Sequence, residues 1–274
     1  MPANERDLIY TAADFRRVRD MVYRHAGISL SEAKQDMAYA RLARRVRAMG
    51  EQRFSAYLDV LNHNERHPEW QFFINALTTN LTAFFREPHH FETLRRHYAQ
   101  SLRNRVYRVW CAAVSTGEEA YSAVISLGDI PSGAGRYEIL ATDIDTQVLN
   151  VAAEGIYPLD RLDPLKEPQR KRYFQKGCGS QTGMARFKDE WRDRIAFAKM
   201  NLNGDLWPDI GLFDAVFCRN VMIYFDADTQ RSILSRLADR MQPDGLLFLG
   251  HSENIQHLSN DFTPCGRTTY RRAD

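Results

Sequence analysis

Residues 108–124, RVWCAAVSTGEEAYSAV, decide the reading of the fold. An apolar run, a turn of small residues and a helical pattern give a strand, a tight turn and the start of a helix. Such a unit usually cradles a nucleotide, because the free N–H groups of a helix N-terminus face an anion. Here the helix opens with two acids, Glu118 and Glu119. A Walker loop needs G-x-x-x-x-G-K-[ST], and the chain has no such run. A dinucleotide site needs G-x-G-x-x-G, and the equivalent small residues are Ala113, Ser115 and Gly117, followed by those acids. Two carboxylates repel a pyrophosphate by several kcal/mol in a partly dry cleft. Phosphate is excluded.

A carboxylate in that position favours a cation or a hydroxyl-rich sugar. S-adenosylmethionine carries a sulfonium, an ammonium and two ribose hydroxyls, and no phosphate. The next strand, YEILATD (137–143), ends in Asp143, where an acid accepts both ribose hydroxyls. The run RMQPDGLLFLG (240–250) ends a helix, turns through Pro-Asp-Gly and starts a strand, as in many methyltransferases. Complementing the helix dipole, worth about 0.3–1 kcal/mol, accounts for one of the two acids. Glu118 is therefore assigned to the ligand, and the role of Glu119 is left open.

Outward from this unit, strands at 107–111, 137–143, 212–218 and 245–250 alternate with helices at 118–127, 146–153 and 229–241. A helix HFETLRRHYAQSL (90–102) precedes them. That alternation means a parallel sheet covered on both faces. The segment from about 167 to 199 breaks the rhythm with KGCGSQTG and is read as a small antiparallel β insertion, with pieces around Arg186 and Ile195. Before Thr79 the pattern is helical only. Thr11 or Asp14 starts a first helix; Ser31 is expected to cap a second from Glu32 to Met49, closed by Gly50; shorter helices follow near 54–61 and 68–77. The expected organisation is a helical domain over 1–79, a linker over 80–90 that contributes to the cofactor site, and an α/β domain over 91–274.

A chain of 274 residues with 44% hydrophobic and 26% charged residues is an ordinary globular one. Its net charge of +2 is too mild to point to nucleic acid. No signal peptide or membrane span is expected. Cys111, Cys178, Cys218 and Cys265 form no C-x-x-C pair and read as reduced thiols of a cytoplasmic protein. His89 and His90 are the only adjacent histidines; without zinc-type spacing, no metal is expected.

The stretches NLTAFFREPHHF (80–91), AAVSTGEEAYS (112–122), ATDID (141–145), FCRNVMIYFD (217–226) and PDGLLFLGHSEN (243–254) closely resemble the CheR family, the chemotaxis glutamate O-methyltransferases of bacteria. The resemblance covers nearly the whole chain. It implies a Rossmann-like class I methyltransferase domain behind an all-helical N-terminal domain, and a monomer. It also implies transfer of a methyl group from S-adenosyl-L-methionine, leaving S-adenosyl-L-homocysteine, to glutamate side chains on the cytoplasmic domains of transmembrane chemoreceptors. By motif, the cofactor residues are Asn80, Thr82, Arg86, Glu118, Asp143, Asn201, Leu202, Arg219 and Asn220, with Arg86 and Tyr224 nearest the transferred methyl. Val114 and Ala120 stand where the family often has a smaller residue and proline. In the family some members dock a receptor's C-terminal peptide on the β insertion; a regulatory adaptor is another candidate partner.

A glutamate carboxylate, with a reference pKa near 4.3, needs no general base, which suits a chain with no evident Ser-His or Cys-His pair. Arg41, Arg44 and Arg45 lie on one side of the second helix and are either a solvated face or a docking face for acidic receptor helices. The rival readings are a methyltransferase for another substrate and a catalytically silent S-adenosylmethionine-binding scaffold.

Overall fold

The computed structural model describes residues 7–101, 105–130 and 136–273. They form two compact units, one running to Thr79 and including Tyr224–Asp226, the other made of Asn80–Ile223 and the residues from Ala227 onward.

The first unit holds α1 (Ala12–Ala26), α2 (Gln35–Ala48), α3 (Phe54–His63) and α4 (Glu69–Leu77). α1 opens on a reciprocal cap: the Thr11 hydroxyl accepts the Asp14 N–H and the Asp14 carboxylate accepts the Thr11 N–H. It stops at Gly27, whose φ of 70° few other residues tolerate. Phe15, Val18, Val22, Leu42, Val46 and Leu58 bury the facing stripes. The expected Ser31 cap does not form. A 3-10 turn over Glu32–Lys34 comes first, and α2 starts at Gln35 without a side-chain cap.

Two of the three arginines on α2 are used inside this unit. The last carbonyls of α4 lack helical partners, and Arg41 donates to those of Leu77 and Thr78, at 3.2 and 2.6 Å. Arg45 grips buried Glu69 through two nitrogens, Nε at 2.8 Å, and the Tyr57 hydroxyl donates to the same carboxylate at 3.0 Å. Arg44 alone of the three is exposed.

The second unit contains α5 (His89–Gln100), β1 (Tyr107–Cys111), α6 (Glu118–Gly128), β2 (Tyr137–Asp143) and α7 (Thr146–Glu154). There follow β3 (Ile156–Pro158), α8 (Glu167–Tyr173), β4 (Phe174–Lys176), β5 (Met184–Phe187), α9 (Asp189–Arg192) and β6 (Ile195–Lys199). The chain closes with β7 (Phe213–Phe217), α10 (Ala227–Ala238), β8 (Met241–Phe248), β9 (Phe262–Gly266) and β10 (Thr269–Arg272). The expected end of α5 at Leu102 lies outside the described residues.

The main sheet runs β6-β2-β1-β7-β8-β10-β9. β6 to β8 are parallel, whereas β10 is antiparallel to both β8 and β9, so the sheet is mixed rather than wholly parallel. Strand order reverses on either side of β1, and ligands of doubly wound folds bind at that point, beyond the C-terminal strand ends. Tyr107, Val109, Cys111, Val124, Ile139, Ala215 and Phe248 belong to the core between sheet and helices.

The small antiparallel sheet has the order β3-β5-β4 and spans 156–187. The expected insertion over 167–199 therefore starts earlier and ends sooner, because Ile195–Lys199 pairs in parallel with β2 at the edge of the main sheet. A five-residue strand carries the same local pattern in either sheet; only its partner distinguishes them. Among the described residues no helix is long and apolar enough to cross a membrane.

Arg45→Ala leaves the Glu69 carboxylate buried without its cation, and should cost about 3 kcal/mol. The expected readout is a lowered urea midpoint with unchanged slope.

Candidate functional site

Four amides of the loop between β1 and α6 are engaged inside the protein. The N–H groups of Ala112, Val114 and Gly117 donate to the carbonyls of Phe217, Thr142 and Val114, at 2.8, 2.9 and 3.1 Å. That of Ser115 donates to Asp143 Oδ2 at 2.8 Å. No anion nest remains on these four amides. Gly117 needs its φ of 99°, and a Cβ there would meet the Tyr157 hydroxyl at 2.8 Å and Ala152 Cβ at 2.9 Å.

Asp143 ends β2 and holds the cleft together. Its other oxygen accepts the Asp145 N–H at 2.9 Å. Asp145 in turn caps α7 through the N–H groups of Gln147 and Val148 and receives Asn80 Nδ2 at 2.8 Å. The ring closes where the Ser115 hydroxyl donates to the Asn80 carbonyl at 2.9 Å. Burial pushes the Asp143 carboxyl up to about 6, against the pull of its backbone donors.

Glu118 is buried, accepts the Thr116 hydroxyl at 2.7 Å and lies 3.7 Å from Arg161 Nη1. Arg161 also donates to the Thr82 carbonyl at 3.3 Å, which brings Thr82 to the same rim. Arg86 donates from Nη1 to the Leu81 carbonyl at 2.9 Å, stiffening the 81–86 turn. Arg219, only 6% exposed, donates to the Arg86 carbonyl and to Glu119 Oε2, the latter at 3.3 Å. Asn220 has a φ of 56° and its N–H donates to Glu253 Oε2 at 2.8 Å. Asn201 accepts the Asn203 N–H at 3.0 Å, and the Leu202 carbonyl accepts Trp207 Nε1 at 3.3 Å, after β6.

Asn80, Thr82, Arg86, Glu118, Asp143, Asn201, Leu202, Arg219 and Asn220 all belong to the second unit. Asn80, Ser115 and Asp143 share one hydrogen-bonded ring, and Arg86, Arg219 and Glu119 share one network. Tyr224 groups instead with the helical unit, where its carbonyl accepts the Ser29 N–H at 2.8 Å.

Sequence reasoning missed Glu119 and Glu253. Glu119 is the buried partner of Arg219, and burial pushes its carboxyl up to about 7 although Arg219 and Cys111 pull it down. Glu253 binds the backbone N–H groups of Asn220 and Gly250, holding two loops with one carboxylate. The signal for Glu253 was present in HSEN, an acid following a strand end, but that pattern is too common to single out.

The residue set fits S-adenosylmethionine. Acids at the start of α6 and the end of β2 suit hydroxyls and a cationic amine, and Arg86 keeps further N–H donors for a carboxylate.

The comparisons agree. The family model described as "CheR methyltransferase, SAM binding domain" matches residues 80–271, and that described as "CheR methyltransferase, all-alpha domain" matches 13–78. Fold and site therefore define a class I S-adenosylmethionine-binding methyltransferase preceded by an all-helical domain. The chain belongs to the CheR methyltransferase family. It is 48% identical over 264 residues to the chemotaxis protein methyltransferase of Escherichia coli K12, covering 96% of this chain and 92% of that one. The chemotaxis protein methyltransferase of Salmonella typhimurium is 49% identical, with 96% and 91% covered. Chemotaxis protein methyltransferase 2 of Pseudomonas aeruginosa is 46% identical, with 96% and 94% covered.

Glu119 binds its proton more tightly in the fold than in the unfolded chain, between 4.5 and about 7. The stability this confers is full below about 4.5 and is lost as pH rises through about 7. Asp143 acts in the same sense from 3.8 to about 6. Glu119→Gln keeps an acceptor for Arg219 and removes the titration. It should therefore lose on the order of 3 kcal/mol less than wild type between about pH 4.5 and about pH 7.5. Urea unfolding at matched pH values measures the difference; parallel curves would mean that Arg219 keeps Glu119 ionised throughout.

Proposed function

We propose that this methyltransferase esterifies glutamate side chains on the cytoplasmic helices of chemoreceptors, producing glutamyl methyl esters and S-adenosyl-L-homocysteine. The observation that carries the reading is the pair of buried acids, Glu118 and Asp143, set where α6 starts and β2 ends, in a chain whose relatives are chemotaxis protein methyltransferases.

S-adenosylmethionine supplies a methyl group already activated on a sulfonium. The chain's residues then bind and orient. Asp143 and Glu118 accept hydroxyl and ammonium donors, and Asn201 and Leu202 flank the adenine. The acceptor carboxylate is ionised at neutral pH, so a new O–C bond forms as the C–S bond breaks and no proton moves. Catalysis is then positioning and partial desolvation of two opposite charges. Arg86 provides a planar fork for a carboxylate, of the methionyl group or of the receptor glutamate. The role of Tyr224 beside the methyl rests on the resemblance alone. Arg44 is the residue of the α2 basic stripe best suited to steer acidic receptor helices, since Arg41 and Arg45 hold the helical unit together.

Labelled donor incubated with the protein and receptor-containing membranes should yield label that base releases as methanol. Base-stable label would exclude a carboxyl ester and favour a different acceptor. Arg86→Lys should fold and lose roughly 30- to 1000-fold in rate, the cost of one positioned charge-assisted contact. Donor affinity falls in that variant if Arg86 grips the methionyl carboxylate and holds if it grips the glutamate.

Arg44→Ala should leave donor affinity unchanged and slow receptor methylation, more so at low ionic strength. Equal rates across ionic strengths would return Arg44 to an ordinary solvated surface.

A further inference from the structure

The sequence EPHH (87–90) joins the 81–86 turn to α5. Glu87 has a φ of 57°, a left-handed conformation rarely adopted by residues with a side chain, and Pro88 follows at φ −60°. One potential ligand atom from each of Glu87, His89 and His90 lies within 4.8 Å of the other two. No zinc-type spacing describes this trio; the backbone turn creates it.

A second observation is independent of that proximity. Glu87 Oε2, His89 Nε2 and His90 Nδ1 are all buried and have no hydrogen-bond partner. His90 is 0% exposed. Its Nε2 lies 2.9 Å from the Thr268 hydroxyl, and with the ring proton on that nitrogen Nδ1 presents a lone pair. Nδ1 sits 3.5 Å from Glu87 Oε2. Arg219 Nη2 is also 3.5 Å from this oxygen, an ion pair without a hydrogen bond, while Arg219 Nη1 pairs with Glu119 at 3.3 Å.

A cation between these two buried atoms would satisfy both. Tetrahedral ligands at zinc distances stand about 3.3 Å apart, close to the Glu87–His90 separation, and the His89 ligand atom lies within 4.8 Å of both. The supporting contacts are also of the kind metal sites use. The outer nitrogen of His90 is fixed by the 267–268 turn. The outer oxygen of Glu87 accepts the His251 N–H at 3.2 Å, with His251 Nδ1 at 3.3 Å.

We propose that Glu87, His89 and His90 form a site for one divalent transition-metal cation of the zinc class, two imidazole nitrogens and one carboxylate oxygen with a fourth position left for water. The bound cation ties the 81–86 turn and α5 to the β9–β10 turn. It sits behind Arg219, on the side away from Glu119, and is a structural clamp rather than a participant in methyl transfer.

The test uses tag-free, metal-stripped full-length protein titrated with Co²⁺. One equivalent should produce the visible d–d absorption of a tetrahedral nitrogen–oxygen site, and Zn²⁺ should displace it. His89→Gln and Glu87→Gln should each weaken Co²⁺ binding at least tenfold; His89 is partly exposed, so its variant keeps the core intact. Zn²⁺ should raise the melting temperature of wild type and not of His89→Gln. The proposal falls if no stoichiometric absorption appears, or if His89→Gln binds as wild type does. It also falls if a thiolate charge-transfer band appears, since that would assign the ion to exposed Cys178 or Cys265. None of these readouts involves methyl transfer, so they leave the proposed activity to be judged separately.

Discussion

The second unit depends on one buried carboxylate. Asp143 receives the N–H of Ser115 with one oxygen and that of Asp145 with the other, so the loops after β1 and β2 are fixed to each other. The ring through Asp145, Asn80 and Ser115 then fastens the start of this unit to the same point. Each contact alone contributes roughly 1–3 kcal/mol as a hydrogen bond to a charged group. Their joint effect is geometric: α6 can start in only one place, and Glu118 and Glu119 are aimed by it. The Ser115 amide is held by the protein's own carboxylate rather than left for a ligand anion.

Arg219 organises the other side of the cleft in a comparable way. It is almost fully buried, and burial of a guanidinium is tolerable only where acceptors surround it. The Arg86 carbonyl, Glu119 and Glu87 provide them. The arrangement couples the turn that carries Arg86 to the helix that carries the acids. Glu119, whose role the helix-dipole argument left open, is a buried acceptor for Arg219.

Much of this was legible because strong local patterns coincide with tertiary roles. YRVWC and YEILATD are continuous apolar runs ending in small or acidic residues, and β1 and β2 occupy the expected positions. The limits came where the partner decides. IAFAK joins the main sheet rather than the insertion, and the final β9–β10 hairpin, with Pro264 in a strand and Thr268 left-handed in the turn, had no clear alternation to mark it. Arg41 and Arg45 look like surface charges in a helical wheel. Their roles depend on the carbonyls of Leu77 and Thr78 and on Glu69, which only the packing of α4 brings near. In the candidate site, acids at strand ends could be read directly, whereas Glu119, Glu253 and the Glu87–His89–His90 trio arise from pairings across more than one loop or from an unusual turn.

Backbone strain follows the same map. Among the described residues, the non-glycine residues with positive φ are Phe85, Glu87, Ser115, Asn220, Asp244 and Thr268. Only Asp244, in the turn within β8, is remote from the loops discussed here. Each such residue costs of order 1–3 kcal/mol and persists only where surrounding contacts over-determine it. Those contacts can be named: Ser122 Oγ accepts the Phe85 N–H, Asp143 accepts that of Ser115, and Glu253 accepts that of Asn220. The Thr268 carbonyl accepts the Leu249 N–H and its hydroxyl lies 2.9 Å from His90 Nε2, and Glu87 accepts the His251 N–H. A buried acid or hydroxyl stands beside nearly every strained residue. The polar interior of this unit is therefore what holds its loops in conformations that apolar packing alone would release, and those loops carry the residues that line the cleft.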